Sequence, residues 1–490
     1  MKNIFLAIVI VSLLIVGRSN SRENYKTDNT KTLKIKVSPS FIWAEPNQEI
    51  TIKGKGFPLV TIPKDSILIG DFKTKHPDTR IGQDGILSPL KITIPKALHS
   101  GQNHIYLAGE SFKNAINVEP FAISLAIPEE NSDIFNSQIK KFNEKFPDIA
   151  VQVKILQDNY YSILENLFEI KNYPDVFFIS PERFERFKEY LENIYPFINS
   201  DTEFNSDDYF FEFAEAYSME GNLYGFPISF STTVLYYNKI LFDQSGISYP
   251  SNWTWSDFFN AVEKLTLDIN NDNKIDQYGF IPEDHPYSWL PWLWQNGGDI
   301  NDKAKTLETL EFYLNLLSKY KTDFISNETD PFISGKAAMI ISDRSKCSKY
   351  KNISDFEWDI AELPYKSEHA SMFHSTCFGI AKESKHKNGA WELIKHFLDE
   401  DMQTDIAESL YAIPIKKDIA NSDTFYSSVS SEVHSEYFLQ IIPYCRKIPS
   451  LFYSSLWTGE WYDGQLNRIY NGYTTPKEAA IELYKLLETH

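Results

Sequence analysis

Cysteine is scarce: Cys347, Cys377 and Cys445 are the only three in 490 residues. Three thiols at these positions cannot build a disulfide framework or a cysteine-based zinc site of ordinary spacing. Glycine is also sparse. The 20 glycines are roughly 4% of the chain against an average near ~7%, which excludes collagen-like and low-complexity architectures. Basic charge is in deficit, with 48 Lys and Arg against 67 Asp and Glu, for a net charge of −19. Nucleic-acid binding is therefore excluded, because phosphate affinity rests on Lys and Arg. The only long apolar run, 4–17, has ~14 residues, short for a bilayer span but sufficient for a signal-peptide core. Familiar catalytic signatures are missing too. There is no Gly-x-Ser-x-Gly elbow, no phosphate-cradling Gly-rich loop and no His-Glu-x-x-His.

Aromatics are abundant. Phe, Tyr and Trp make up 15% of the chain, which argues against disorder. The length predicts about three domains. Residues 1–21 read as a signal peptide and 22–32 as a polar linker. An uncleaved anchor is the other reading of the apolar run. Leu14-Ile15-Val16-Gly17 looks like the start of a bacterial lipobox, but Arg18 stands where the lipid-bearing cysteine is required. The expectation is export to the periplasm or cell exterior with no lipid anchor at that position.

From Leu33 to Val118 short strands alternate with turn residues. Ile35 and Val37 alternate with lysines, and Ile50 and Ile52 with Thr51 and Lys53. Pro39, Pro46, Gly54, Gly56, Pro58, Gly70, Gly82, Gly85, Pro95 and Gly101 separate the runs. This pattern predicts an antiparallel sandwich. The order Val37-Ser38-Pro39-Ser40, Ile50 to Phe57, Ile94-Pro95 and Gly101 to Leu107 resembles the IPT/TIG immunoglobulin-like family. The resemblance implies a spacer or packing module, with a carbohydrate- or protein-adhesive role as the alternative.

After Val118 strand and helix patterns alternate. Phe121, Ile123, Leu125 and Ile127 have strand period, whereas Phe135, Ile139, Phe142 and Phe146 have helical period. Val151 to Ile155 and Val176 to Ile179 are further strands. Such alternation predicts a parallel sheet with ligand-bearing loops at strand carboxyl ends, here 128–132 and 180–182. An ordered series follows: Leu235-Tyr236-Tyr237-Asn238-Lys239, Trp253-Thr254-Trp255, Trp292 to Asp299, Gly335 to Met339, Ala390 to Phe397 and Ile413-Pro414. It resembles the maltose-binding type of extracellular solute-binding proteins that serve ABC importers. The resemblance covers 119–490 and implies a two-lobed α/β periplasmic-binding fold of Venus-flytrap type. Lobe 1 would comprise 119–234 with 372–420, and lobe 2 would comprise 235–371 with 421–490. It also implies hinge closure on a mono- or oligosaccharide, delivery to permease subunits, a monomeric chain and no enzymatic activity.

Sugars need aromatic platforms flanked by groups that satisfy hydroxyls. The loops matching the family's cleft supply Glu129, Glu130, Asn131, Ser180, Phe230 and Ser231. The second lobe supplies Trp292, Trp294 and Asn296. Each Trp reads as either a platform or ordinary helix packing, and Trp457 is a further candidate platform. Tyr236 and Tyr237 are expected near the hinge. Two segments depart from the family pattern. Arg344 stands where a cleft glycine and aromatic are usual, and would favour an acidic sugar through bidentate pairing. His374 replaces part of a Gly-rich turn, and reads as a ligand contact or a structural histidine.

Asp268, Asn270, Asp272 and Asp276 fall at positions 1, 3, 5 and 9 of an EF-hand-like loop, with the Lys274 carbonyl at position 7. Position 12 is Gly279, so the usual bidentate glutamate is missing. A structural calcium and an acidic surface turn are the two readings. For the whole chain, two functions stand beside sugar import: a surface carbohydrate-binding adhesin or sensor, and a carbohydrate-active enzyme with paired carboxylates.

Overall fold

The computed structural model describes residues 33–129, 132–157, 159–320, 330–430, 432–453 and 462–488. The chain folds as two compact units, one of 33–42 and 47–118, the other of 43–46 and 119 onward.

The smaller unit is all β. Its strands are β1 (Lys34–Ser38), β2 (Phe41–Trp43), β3 (Gln48–Lys55), β4 (Thr61–Ile62), β5 (Leu68–Ile69), β6 (Phe72–Lys73), β7 (Thr79–Arg80), β8 (Ile86–Ile94), β9 (Gly101–Leu107) and β10 (Glu110–Glu119). One sheet runs β1-β3-β8 and another β2-β10-β9-β5-β6. Period-two alternation fixes the register. Ile50 and Ile52 are buried while Glu49 and Lys53 face water. Val37, Leu87, Leu90, Ile92 and Ile94 join them, and Ile69, Ile105, Leu107 and Ile116 line the second sheet. Gly54 is not a turn residue as expected but lies inside β3, where the register against β8 shifts between Ile52 and Gly54. A Cβ at Gly54 would meet the Phe57 ring at 2.5 Å and the Lys34 carbonyl at 2.8 Å, so this close approach requires glycine.

The larger unit contains β11 (Phe121–Pro128), β12 (Ile149–Leu156), β13 (Val176–Ile179), β14 (Ser218–Met219), β15 (Asn222–Leu223), β16 (Phe226–Thr232), β17 (Val234–Asn238), β18 (Met339–Ser342), β19 (Trp358–Ala361), β20 (Ser371–Ile380), β21 (Ile413–Pro414) and β22 (Cys445–Lys447). Its main sheet has the order β12-β11-β13-β20-β16-β21, with β22 beside β20. β11 pairs in parallel with β12 and β13. The crossover helices are Ser132–Lys145 and Tyr160–Glu169. Phe135, Ile139 and Phe142 are buried, as their 3–4 residue spacing requires. β20 runs antiparallel to both of its neighbours, β13 and β16, so the sheet is mixed rather than wholly parallel.

The second lobe is built on the antiparallel sheet β18-β17-β19. Helices Trp255–Leu265, Leu290–Gln295, Lys303–Lys319, Gly464–Tyr470 and Pro476–Leu487 accompany it. Thr254 opens the first of these helices with a full capping box: its hydroxyl accepts from Asp257 N at 3.3 Å, and Asp257 Oδ2 accepts from Thr254 N at 2.9 Å.

The lobes meet where β16 passes into β17 through Thr233 alone. Thr233 N donates to Met372 O at 3.2 Å, and Ser371 Oγ donates to Thr233 O at 2.7 Å. Thus the first crossing hydrogen-bonds to the second, at the start of β20. The third lies later than the expected residue 421. β22 pairs in parallel with the start of β20, Ser371 opposite Cys445, so the chain stays with the first sheet through Lys447. Tyr236 and Tyr237 are buried on β17. Tyr236 donates to Asp343 O at 2.6 Å, and Tyr237 to Asp359 Oδ2 at 3.1 Å.

Arg344 does not reach a cleft as expected. It follows β18 in the second lobe and is fully buried against the first. Its Nε donates to Ala412 O at 3.1 Å, and its Nη2 to Ala407 O at 3.3 Å and Ser428 Oγ at 2.9 Å. The guanidinium lies 4.0 Å from the Phe425 ring centre. The Ala407 carbonyl lies in the last turn of helix Glu400–Ser409, where intrahelical donors are missing, and this cation supplies it. Burial lowers the Arg344 pKa to about 10, which leaves it charged at neutral pH.

All three cysteines are free thiols. Burial pushes Cys347 up to about 11, and Cys377 and Cys445 higher still. Removing the Arg344 guanidinium strands two carbonyls and opens a hole between two rings. Arg344→Ala is therefore expected to cost about 3–5 kcal/mol in denaturant unfolding. A loss below about 1 kcal/mol, the worth of an exposed pair, would refute the clasp.

Candidate functional site

In the first lobe the carboxyl end of β13 delivers Ser180, buried at the N-cap of helix Pro181–Phe187. Ser180 Oγ and Tyr161 Oη are 2.7 Å apart, and the Ser180 N–H donates to the same phenol at 2.9 Å. Burial raises the Tyr161 phenol far above its ordinary value, and the Glu182 charge adds to the shift. The Arg183 guanidinium sits 5.2 Å from the Tyr161 ring centre. Beside them Tyr217 Oη donates to Ser375 O at 3.2 Å and lies 3.0 Å from Ser375 Oγ.

The second lobe answers with the segment Glu283-Asp284-His285-Pro286-Tyr287. The His285 and Tyr287 rings are 3.8 Å apart, and Tyr287 lies 5.5 Å from the ring of His374 on β20. Burial raises the Tyr287 phenol, helped by Glu283, Glu182 and Asp343. Glu182 belongs to the first lobe and Glu283 to the second, so both charges bear on one ring. The lobes also touch where helix Pro181–Phe187 packs on residues Ser450–Tyr453. Phe452 in turn packs edge-on against Trp289 at 5.6 Å.

Glu283 is open to solvent yet surrounded by protein on most sides, as a residue in a crevice is. Desolvation raises its pKa to about 6, with Asp343 adding to the shift. The Ser288 hydroxyl, donating at 3.1 Å, offsets part of this. Asp284 is raised to about 6 by desolvation and then by Asp463. His285 is lowered to about 4 by desolvation and then by His374.

The sequence-derived candidates divide. Ser231 lies opposite His374 in the β16–β20 register, and Ser180 follows β13, the strand on the other side of β20. His374 is half-buried and close enough to Tyr287 to share a ligand with it. Phe230 points to the other face, because neighbours on a strand alternate. It stacks on Phe213 at 4.0 Å inside the core. Glu129 stands exposed beyond β11 and accepts from Gln157 at 3.5 Å. Trp292 is buried among Trp255, Phe258 and Phe312, with ring centres 5.3, 5.7 and 5.5 Å away. Trp294 is buried with the Arg446 guanidinium 5.8 Å from its ring. Asn296 is buried at the end of the same helix, and its carbonyl accepts from Lys305. Glu130, Asn131 and Trp457 lie outside the described residues.

In the loop 268–276 the acidic side chains turn onto their own backbone. Asp268 accepts from Asp272 N and Asn273 N, Asp272 from Lys274 N, and Asp276 from Ile269 N and Asn270 N. Asn270 accepts from Asp272 N, and its amide donates toward Asp276 at 3.4 Å. Asn271 and Asn273 adopt positive φ, 62° and 65°, a conformation that asparagine tolerates. Among the described residues no three His, Cys, Asp or Glu side chains converge in a metal-holding arrangement.

Residues 137–430 match the family described as bacterial extracellular solute-binding protein. The chain belongs to this family. Its members are binding proteins rather than enzymes, and an extracellular family implies an exported protein. The match runs from the first crossover helix past β21 and so takes in strands of both sheets. Among curated relatives, an arabinooligosaccharide-binding protein of Halalkalibacterium halodurans is 24% identical over 38% of this chain and 44% of its own length. A mannitol-binding protein of Pseudomonas aeruginosa is 23% identical over 53% of this chain and 65% of its own. The chain therefore spans about half the length of the curated relatives it matches.

Among solved structures, an ABC substrate-binding protein from Listeria monocytogenes in complex with cycloalternan superposes with a TM-score of 0.65. It is 21% identical and covers 76% of this chain and 99% of its own. Maltose-bound MalE3 of T. maritima gives 0.61 at 18% identity, covering 75% and 99%. These likenesses establish the two-lobed fold of the larger unit.

Glu182 lay inside the strand-end loop singled out from sequence. Tyr161, Glu283 and Tyr287 did not emerge, although acid, histidine, proline and tyrosine cluster just ahead of the Trp292 helix. The raised Glu283 pKa gives a signed prediction. Its protonated form is favoured in the folded state, so its stabilising contribution is full below about 4.5 and lost as pH rises through about 6. The depressed His285 acts oppositely, losing stability as pH falls from about 6.5 to about 4. The difference between wild type and Glu283→Gln isolates the first term. Wild type should gain on the variant as pH drops from 7 to 5. Parallel melting curves across that window would contradict the crevice environment of Glu283.

Proposed function

We propose that this solute-binding protein captures a mono- or oligosaccharide between its lobes and hands it to the permease subunits of an ABC importer. The observation that carries the reading is the approach of the second lobe's Tyr287 to 5.5 Å from the ring of His374 on β20, with Tyr161 and Ser180 joined at the end of the neighbouring strand β13. Rings offer faces to sugar C–H surfaces, and the hydroxyls and imidazole can bond sugar hydroxyls. The arabinooligosaccharide- and mannitol-binding relatives, and the neighbours solved with cycloalternan and maltose, support the class. The two hydrogen-bonded crossings at Thr233 and Ser371 are the natural hinge for closure. In this reading the chain works as a monomer in the periplasm or outside the cell, and the smaller unit is an IPT/TIG-like, immunoglobulin-like spacer. That extra β unit favours a second reading, a surface adhesin or sensor. Failure to retain permease subunits despite sugar binding would select it.

A thermal-shift screen tests the ligand class. A bound oligosaccharide at roughly 100 times its Kd should raise Tm by about 5 °C. Tyr287→Ala and His374→Ala should each weaken binding about tenfold. No shift with any sugar, together with a shift on peptides, would replace the reading. Calcium in the loop 268–276 is a separate proposal, supported by the four side-chain oxygens carried on one turn at EF-hand spacing. Calcium added to a chelated sample should release heat and raise Tm; silence in both would remove it.

A further inference from the structure

Tyr160, Tyr161 and Tyr217 all bond the first sheet or the turn that follows β13, and each phenol has one proton to give. Counting donors and acceptors shows where each proton goes. Tyr160 accepts from Phe178 N at 3.0 Å and shares its proton between the Phe178 and Ala126 carbonyls at 3.1 and 3.2 Å. Tyr217 donates to Ser375 O at 3.2 Å, so in the 3.0 Å contact between the two hydroxyls Ser375 Oγ is the donor. Both clusters are closed, with no hydroxyl proton left over.

Tyr161 differs. Its Oη accepts from Ser180 N at 2.9 Å, and its ring carries the Arg183 guanidinium at 5.2 Å. Among the described residues no carbonyl or carboxylate accepts its proton. The acceptor in reach is Ser180 Oγ at 2.7 Å. Tyr161 therefore donates, Ser180 Oγ receives, and the Ser180 proton points away from the phenol. That hydroxyl is not spent on its helix either. Ser180 is the N-cap of Pro181–Phe187 but makes no side-chain capping bond. It is left with one proton and, among the described residues, no acceptor. Phe178 and Ile179 pair with Phe378 and Cys377 on β20. The next step of that register brings Ser180 level with Thr376, two residues from His374.

We propose that Tyr161 is a positioning residue that commits the Ser180 hydroxyl to donate to a hydroxyl of the bound sugar. This rests on the sugar-binding reading and specifies which group the ligand must carry at that place. A sugar hydroxyl can accept from Ser180 and still donate onward. A deoxy carbon leaves the Ser180 proton unmatched, and a protonated amine sets donor against donor. A site built around a polar partner rejects the analogue that lacks it.

Calorimetry on the full chain tests it with maltose, arabinotriose and mannitol, and with the monodeoxy forms of each one that binds. One deoxy position should weaken binding to wild type about tenfold. In Ser180→Ala that penalty should vanish, while penalties at the other positions stay as they were. Tyr161→Phe should shrink the same penalty, weaken the parent sugar about fivefold, and cost nothing more once Ser180 is alanine. A merely damaged fold would weaken every ligand alike, and its losses would add in the double variant. No deoxy penalty that depends on Ser180, or additive losses in the double variant, would overturn the assignment and leave sugar binding standing. Silence toward every sugar would remove both readings.

Discussion

At Thr233 the chain leaves one sheet and enters another with a single residue between strands. That residue is bonded on both sides to the segment that returns at Ser371 and Met372. This pairing ties the two lobes at one edge. It also fixes what lies next to the edge, because Ser231 and His374 are its immediate neighbours. The candidate site is therefore set beside the strand crossings that join the two lobes. Arg344 adds a second tether. Its fork bonds one carbonyl in the last turn of a helix and another just beyond that helix, and two aromatic rings flank its charge. A cation so used is withdrawn from ligand chemistry, which makes the fold and the charge of the cleft parts of one accounting.

The architecture of the larger unit was readable because period and order survive in sequence. Phe135, Ile139 and Phe142 could only be one face of a helix, and β11 to β13 could only be strands. The antiparallel insertion of β20 between β13 and β16 was not readable, since pairing direction is set by contacts more than a hundred residues apart. The smaller unit was legible as strands and turns. Gly54 was misplaced because a strand bulge and a turn place the same demand on glycine.

The site was less legible, and for a definite reason. Sequence names residue types, whereas a cleft needs directions. Phe230 and Ser231 are neighbours in sequence and face opposite sides of β16. Trp292 and Trp294 carry the expected chemistry but are spent in the core around helix Leu290–Gln295. Arg344 has the composition of an anion site and the placement of a clasp. Glu283 and Tyr287 gave no motif, because their importance arises from a lobe that meets them only after folding. The rule that ligands gather at strand carboxyl ends did survive, since it led to Ser180 and Glu182.

The three thiols have a practical consequence. Cys347 and Cys377 are sealed in the core, and Cys445, only half-buried, is still held strongly protonated, so none presents the thiolate that alkylating reagents require. A cysteine introduced on either lip of the cleft would be the one fast-reacting position in an otherwise native chain. If the lobes close on ligand as proposed, a dye attached there would report that movement by a change in emission. The chain is thus ready, without removal of any cysteine, to serve as the body of a reagentless fluorescent sensor for whatever it binds.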